Sequence, residues 1–343
     1  MIESPTMRDL LLKLCRREDL TRDEARTAML ALMSGQASDA QIGGFLIGMA
    51  AKGTTVDEIV GAATVLREKV IPIPCEGSVV DTCGTGGDMR QTFNVSTAAA
   101  LIAAAAGVRV VKHGNRSASG KNGAADVLEK LGVQLQATPS ELADCLVKTN
   151  ICFAFARLHH PAMKYVAEAR KSLNIPTFFN VLAPLTNPGR ARRQVLGVFA
   201  PELTDRLAGV LRELGSHRAW VVHGDDGMDE ISTLGPTRVS ELVDHHIHTW
   251  TLDPRELGIE YARLSDLQVN SLEQAADALL HVLDGHAGPM RDIGLLNAAA
   301  ALMVAGEAEH LPGAMELATQ AVDSGRARQT LNALVERSQQ FAK

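Results

Sequence analysis

The sequence predicts an α/β protein, with a small helical domain followed by a larger α/β domain on a mostly parallel central sheet. Two observations carry this. Through residues 1–70 apolar side chains recur every three or four positions, as on helix faces. Beyond Pro72 and Pro74, short β-branched runs alternate with helical stretches, as in successive βαβ units. The expected domains are 1–72 and 73–343.

In the first segment Leu10, Leu11 and Leu14 mark one helix face, Ala25, Ala28, Met29 and Leu32 a second, and Ile42, Phe45, Leu46 and Met49 a third. Thr21 and Ser38 suit N-caps, Thr55 with Glu58 resembles a capping box, and Gly35 and Gly53 stand where helices stop. After the prolines, strands are expected at 79–82, 108–111, 152–156, 195–199, 219–223, 238–242 and 247–252. Helices are expected at 95–106, 124–131 and 203–214, and they dominate again from about 272.

Composition narrows the function. The 343 residues suffice to bury a core without covalent staples. Cys15, Cys75, Cys83, Cys145 and Cys152 are odd in number and form no Cys-x-x-Cys pair, so reduced thiols in a cytoplasmic protein are expected rather than disulfides or zinc. A net charge of -6 and only 3% aromatic residues argue against a nucleic-acid partner. Charges at Glu3, Arg8, Asp9 and Lys13 exclude a signal-peptide core, and the apolar run 98–111 is too short to span a bilayer, so no membrane partner is expected. The total hides a local excess. Between Ile151 and Arg193 stand Arg157, Lys164, Arg170, Lys171, Arg190, Arg192 and Arg193 against the single acid Glu168. With Lys112, Arg116 and Lys121 these predict a cationic cleft that focuses an anionic substrate.

Four polar clusters follow strands. In the first, Asp81-Thr82-Cys83-Gly84-Thr85-Gly86-Gly87-Asp88 leads through Thr92, Asn94, Val95, Ser96 and Thr97 into an Ala-rich helix. Glycines here let backbone N–H groups approach a ligand, and the helix start attracts an anion, which together make a phosphate-binding turn. An ordinary strand-to-helix connection uses glycines too. Neither the dinucleotide fingerprint nor the P-loop pattern is met. The second cluster runs from Lys112, His113, Gly114, Asn115 and Arg116 to Gly123, at a strand's carboxyl end where open α/β sheets bind ligands. A solvated surface turn is the plain alternative. The third comprises Arg157 to Lys164, Arg170, and the run Asn180 to Pro188. If Pro161 starts a helix, Met163, Val166, Ala167 and Arg170 share a face, and an arginine fork suits a carboxylate. The fourth, His223 to Ser232, holds Asp225, Asp226, Asp229 and Glu230, oxygen donors of the kind Mg²⁺ takes. Asp225 and Asp226 also suit a turn, leaving Asp229 and Glu230 as the better metal side. His245, His246 and His248 read as surface, and Cys83 as a buried neutral thiol.

These motifs, collinear over almost the whole chain, resemble the anthranilate phosphoribosyltransferase family, of the nucleoside-phosphorylase-like class. The resemblance implies transfer of a phosphoribosyl group from phosphoribosyl pyrophosphate (PRPP) to anthranilate, with Mg²⁺. It places Gly84, Gly87, Asp88, Thr92, Asn94, Val95, Ser96 and Thr97 at the pyrophosphate. Lys112, His113, Gly114, Asn115, Arg116, Ser117, Ala118, Ser119, Gly120 and Ala124 would line the phosphoribosyl group. Gly84, His113, Asn115, His160, Arg170 and Pro184 would face anthranilate, and Ser96, Asp229 and Glu230 the metal. It also implies a helical excursion near 160–190 joining the small domain, and a homodimer formed through that domain. Two positions depart from the family pattern: Gly120 replaces a hydroxyl residue, and Ala183 a glycine. The competing readings are a pyrimidine nucleoside phosphorylase and a non-catalytic, nucleic-acid-binding relative.

Overall fold

The computed structural model describes residues 5–116 and 122–342. Helices α1 (Met7–Cys15), α2 (Arg22–Met33), α3 (Asp39–Lys52) and α4 (Val56–Lys69) open the chain. Each begins with a capping box, from Thr6/Asp9, Thr21/Glu24, Ser38/Gln41 and Thr55/Glu58. Such a cap contributes about 1 kcal/mol. The first of the four was not read from the sequence. Glu58 is fully buried yet satisfied: its carboxylate accepts from the Leu20 N–H (2.8 Å), the Thr55 N–H (2.8 Å) and Lys52 Nζ (2.9 Å), tying α3, α4 and the α1–α2 turn together.

The α/β part continues through β1 (Val80–Gly84), α5 (Val95–Ala105), β2 (Val110–Gly114), α6 (Ala124–Lys130), α7 (Pro139–Thr149), β3 (Ile151–Phe155) and α8 (Ala156–His159). Next come α9 (Lys164–Leu173), α10 (Phe178–Leu182), β4 (Arg193–Gly197), α11 (Glu202–Glu213), β5 (Arg218–Gly224), β6 (Thr237–Val243) and β7 (His246–Leu252). Helices α12 (Leu272–Leu283), α13 (Pro289–Ala305), α14 (Leu311–Asp323) and α15 (Arg326–Gln339) close the fold. All seven expected strands form, displaced by at most three residues, because ladder pairing sets the ends of short strands.

They make one sheet in the order β3-β2-β1-β4-β5-β6-β7, parallel from β3 to β5 and antiparallel across β6 and β7. From the central β1 the chain winds first toward β2 and β3, then back to β4 and β5. Where the winding reverses, a crevice opens beyond the strands' carboxyl ends. Two cores flank it. Helix α5 is buried almost all round, as its uniformly apolar sequence requires, and its alanines pack closely on the buried Ile293–Val304 face of α13. The second core joins α1–α4 to Val166 of α9, Phe178 and Phe179 of α10, and Leu207 and Leu211 of α11.

The +6 stretch does not converge on one cleft. Arg193 starts β4 opposite Val80, whereas Gly197 ends it opposite Gly84, a strand length of roughly 13 Å away. Arg190 and Arg192 line a hollow of about 650 Å³ with Ile73, Cys75 and His217, at the amino edge. Residues 186–192 carry these cations around the sheet to reach the start of a parallel strand, so proximity in sequence becomes separation in space. His245, His246 and His248 are exposed and Cys83 is buried, as expected.

Candidate active site

The crevice is built first from glycines. After β1 the chain turns through Gly86 (φ 64°) and Gly87 (φ 94°), left-handed values that L-residues rarely adopt. The Gly86 N–H donates to Asp229 Oδ2 at 2.7 Å. A Cβ on Gly84 would lie 2.5 Å from that oxygen, and one on Gly197 only 1.5 Å from the Asp229 carbonyl oxygen. Both glycines therefore let the acidic loop between β5 and β6 lie directly on the strand ends. Gly197→Ala must displace residue 229. It is expected to lower kcat/KM about a hundredfold, the scale of a misplaced active-site group, in steady-state assays of a protein that still melts cooperatively. An unchanged kcat/KM would contradict the close packing.

Three carboxylates crowd this point. Burial, and then Asp88, push Asp229 up to about 7. Glu230 is raised well above the usual range by burial and by Asp229. Opposite them, buried Lys112 donates from Nζ to the Thr82 carbonyl (2.7 Å) and to Ser96 Oγ (3.2 Å), and burial lowers its pKa against the pull of Asp81. The described residues assemble no preformed cluster of three or more His, Cys, Asp or Glu ligands. What they offer instead is a few hard oxygen donors, mutually repelling and short of a cation. That donor set fits Mg²⁺, which binds through one or two carboxylates and completes its shell with water and substrate phosphate. Asp225 and Asp226 form the turn: Asp225 is exposed, and the Gly227 N–H closes on the Gly224 carbonyl at 2.7 Å.

The start of α5 faces the same crevice. Asn94 makes no side-chain cap. Its Nδ2 donates to the Asn122 carbonyl (2.9 Å), while its Oδ1 and Thr97 Oγ1 are buried without a partner among the described residues. Unpaired buried polar atoms at the positive end of a helix dipole mark a place for a polar anion, although the Val95 and Thr97 N–H groups are already engaged by the Phe93 (2.8 Å) and Asn94 (3.1 Å) carbonyls. Val95 is buried in this first turn, and Thr92 bridges to Gln268. From β2, Gly114 packs its backbone against the Phe153 ring, and the Ala125 N–H donates to the Asn115 carbonyl (3.3 Å), so both ends of the 115–124 loop meet beside α6. Ser117, Ala118, Ser119, Gly120 and Lys121 lie outside the described residues. Arg116, expected at the phosphoribosyl group, is held here by other partners. Its guanidinium is drawn outward to Asp126 (2.6 Å) and Glu129 (2.7 Å) and over the Phe155 ring, because two acids on α6 offer it the fork-like pairing a phosphate would.

A second set of groups lies toward the helical domain. His113 lies next to the end of β2 and His160 follows α8, with their Nε2 atoms 3.2 Å apart. Burial holds His160 down at about 4 and His113 well below its usual value, so both rings are neutral at pH 7 and one donates to the other. His159 is structural, its Nδ1 donating to the Ile71 carbonyl at 2.8 Å. Pro161 starts a single 3-10 turn that leads into α9. The inward face of α9 runs through Val166, Ala169 and Arg170. Ala167, expected on that face, is exposed. The half-buried Arg170 guanidinium stacks over Phe179 at 5.1 Å and has no carboxylate partner among the described residues, and burial lowers its pKa. The Pro184 carbonyl accepts from Gln194 Nε2 (2.7 Å), beside exposed Ala183.

Gly197, Gln194 and Phe179 were not singled out from the sequence as site residues. A lone glycine inside the 195–199 strand run signals close backbone approach and could have identified Gly197. The other two carry no local signal.

Known proteins match this arrangement over nearly its full length. Residues 8–70 match the helical bundle domain of a glycosyl transferase family, and 76–328 its a/b domain. The chain is 51% identical to the anthranilate phosphoribosyltransferase of Methylobacterium nodulans over 92% of this chain and 94% of that one. With that of Agrobacterium fabrum it shares 47% identity over 96% of each. This chain belongs to the anthranilate phosphoribosyltransferase family. The family's crystal structures carry the same fold. The enzyme of Thermus thermophilus superposes with a TM-score of 0.91 at 39% identity, covering 96% of this chain and 99% of that one. The enzyme of Saccharomyces cerevisiae, solved in complex with PRPP and Mg, gives 0.89 at 26% identity over 97% and 98%.

Proposed function

We propose that PRPP and its Mg²⁺ occupy the crevice between the β1 turn, the start of α5 and the acidic loop, with anthranilate on the side of His113, His160, Arg170 and Pro184. The activity is that of the family: the phosphoribosyl group of PRPP passes to the amine of anthranilate, giving N-(5-phosphoribosyl)anthranilate and pyrophosphate in L-tryptophan biosynthesis. The observation that carries the assignment is the crowding of Asp229, Glu230 and Asp88 against a glycine turn whose neighbouring helix start holds unpaired polar atoms.

The aromatic amine is neutral at pH 7 and needs no activating base. Its lone pair forms the bond to ribose C1 as the C1–O bond breaks, and pyrophosphate departs with that electron pair. Arg170 orients the acceptor through a forked contact to the carboxylate, converting collision into alignment. The new bond leaves a positive nitrogen whose proton a neutral imidazole of the His113–His160 pair can accept. Lys112, the Gly84–Asp88 turn and the positive end of the α5 dipole offer fixed positive potential to the leaving group. Bound through Asp229, Glu230 and Ser96, Mg²⁺ would neutralise charge on pyrophosphate and on the carboxylates themselves.

The working enzyme is proposed as a cytoplasmic homodimer joined through the helical domain. Leu12, Leu30, Ile47, Tyr165 and Ile175 leave large apolar side chains exposed on and beside α1, α2, α3 and α9. Light scattering is expected to return twice the 36.6 kDa chain mass, and a monomer at micromolar concentration would contradict the dimer. Among the described residues no helix is long and apolar enough to cross a membrane. For the nucleoside-phosphorylase alternative, thymidine or uridine with phosphate is expected to yield no free base. Release of base at a rate matching anthranilate turnover would favour that reading.

A further inference from the structure

We propose that Asn297, on α13, is a positioning residue that holds the Asp229–Glu230 pair in its working geometry. The proposal rests on the reading that these acids carry the metal side of the site. Between β5 and β6 the acidic loop belongs to neither a helix nor a strand ladder, so its backbone polar groups need partners from elsewhere. Ile231, the residue after Glu230, finds them on one side chain. Its N–H donates to Asn297 Oδ1 (3.0 Å), and its carbonyl accepts from Asn297 Nδ2 (2.8 Å). The same Nδ2 donates to the Ile293 carbonyl one turn back along α13 (2.9 Å), which fixes the amide plane.

Asn297 is almost fully buried in a helix that is otherwise apolar from Ile293 onward, where an unpaired amide would be costly. Its paired bonds to Ile231 act as a single rung of ladder joining the loop to the rigid α5–α13 core. From the opposite side the loop is pinned by the close pass of Gly197 and Gly84 and by the Gly86 N–H bond to Asp229. The fully buried Met228 and Ile231 flank the acids. Such anchoring matters because neither Asp229 nor Glu230 is held by a helix or strand of its own. Asn297 touches neither acid and acts only through the main chain.

The test uses the full-length protein and Mn²⁺ as a spectroscopic probe, titrated with PRPP present and read by electron paramagnetic resonance. Asn297→Leu keeps volume and removes both bonds. Its Mn²⁺ affinity is expected to fall about ten- to a hundredfold, as when groups supporting metal ligands are lost. The KM for anthranilate is expected to stay within about twofold, since support of the metal side acts on PRPP binding rather than on the acceptor. An unchanged Mn²⁺ affinity in a cooperatively melting Asn297→Leu protein overturns the proposal, and so does a KM for anthranilate that rises in step. If Asn297→Leu does not fold, Asn297→Ser is read by the same criteria. Amide exchange on the unaltered protein adds an independent check: Ile231 N–H is expected to be protected like the core of α13, and exchange as fast as the highly exposed Met89 would refute the anchoring. Asp229→Asn with Glu230→Gln, run in parallel, separates the two readings. If that protein binds Mn²⁺ as tightly as the parent, the metal-side assignment fails. If it loses Mn²⁺ while Asn297→Leu keeps it, only the positioning role fails.

Discussion

Replacing Asp229 by Asn and Glu230 by Gln is expected to lower kcat about a thousandfold or more at any Mg²⁺ concentration. Loss of a single preorganised electrostatic group at a developing charge costs about 10²–10³, and here both carboxylates of the metal side go together. The fold is expected to survive. Each acid is held above its ordinary pKa by burial and by its neighbours, so in the metal-free protein the charges oppose folding. With Asp229 taking up its proton near 7 when folded and near 3.8 when unfolded, the folded chain binds more protons across that window. Relative to the double variant, the metal-free parent should therefore gain stability as pH is lowered from about 8 toward 4, on top of the opposite slope that the buried neutral His113 and His160 give both proteins. Denaturant titrations at several pH values with EDTA check this. A parent-minus-variant difference of opposite sign, or turnover equal to the parent at limiting Mg²⁺, would contradict the assignment.

Arg170→Ala is expected to raise the KM for anthranilate about ten- to a hundredfold while the KM for PRPP changes less than about twofold. The range follows from a charged hydrogen-bonding contact, about 1.5–3 kcal/mol. The guanidinium is half-buried, stacked on Phe179, and has no acidic partner among the described residues, so the truncation exposes no orphaned carboxylate there. Arg170→Lys keeps charge but loses the fork and the planar stacking, so it should fall between parent and alanine. Steady-state kinetics with each substrate varied in turn separates the cases. An equal rise in both KM values would mean that Arg170 supports the crevice as a whole rather than the acceptor carboxylate.

Much of this was legible in sequence because it is local. Period-3.6 apolar faces placed α1–α4, β-branched runs placed the seven strands, and glycine-rich turns after β1 and β2 marked the ligand edge. Asp229 and Glu230 stood out as oxygen donors beside a strand end. The illegible parts depend on how distant segments meet. Arg116 turns outward because α6 brings Asp126 and Glu129 to it. Arg190, Arg192 and Arg193 leave the crevice because β4 runs parallel to β1 and must start at the far edge. Gln194 bonds Pro184 only because β4 lies beside β1 beneath that loop, and Asn297 sits more than sixty residues beyond the loop it contacts. An asparagine inside an Ala/Leu-rich helix does announce a buried hydrogen bond, but not with what.

The central claim is that one crevice joins anthranilate to PRPP through a carboxylate-held Mg²⁺. It is tested most directly by following anthranilate fluorescence and released pyrophosphate together in the purified protein, omitting each component in turn. Loss of fluorescence matched mole for mole by pyrophosphate, requiring both PRPP and Mg²⁺ and abolished by EDTA, is the predicted result. Undiminished fluorescence with all three present, or equal turnover with EDTA, would contradict it.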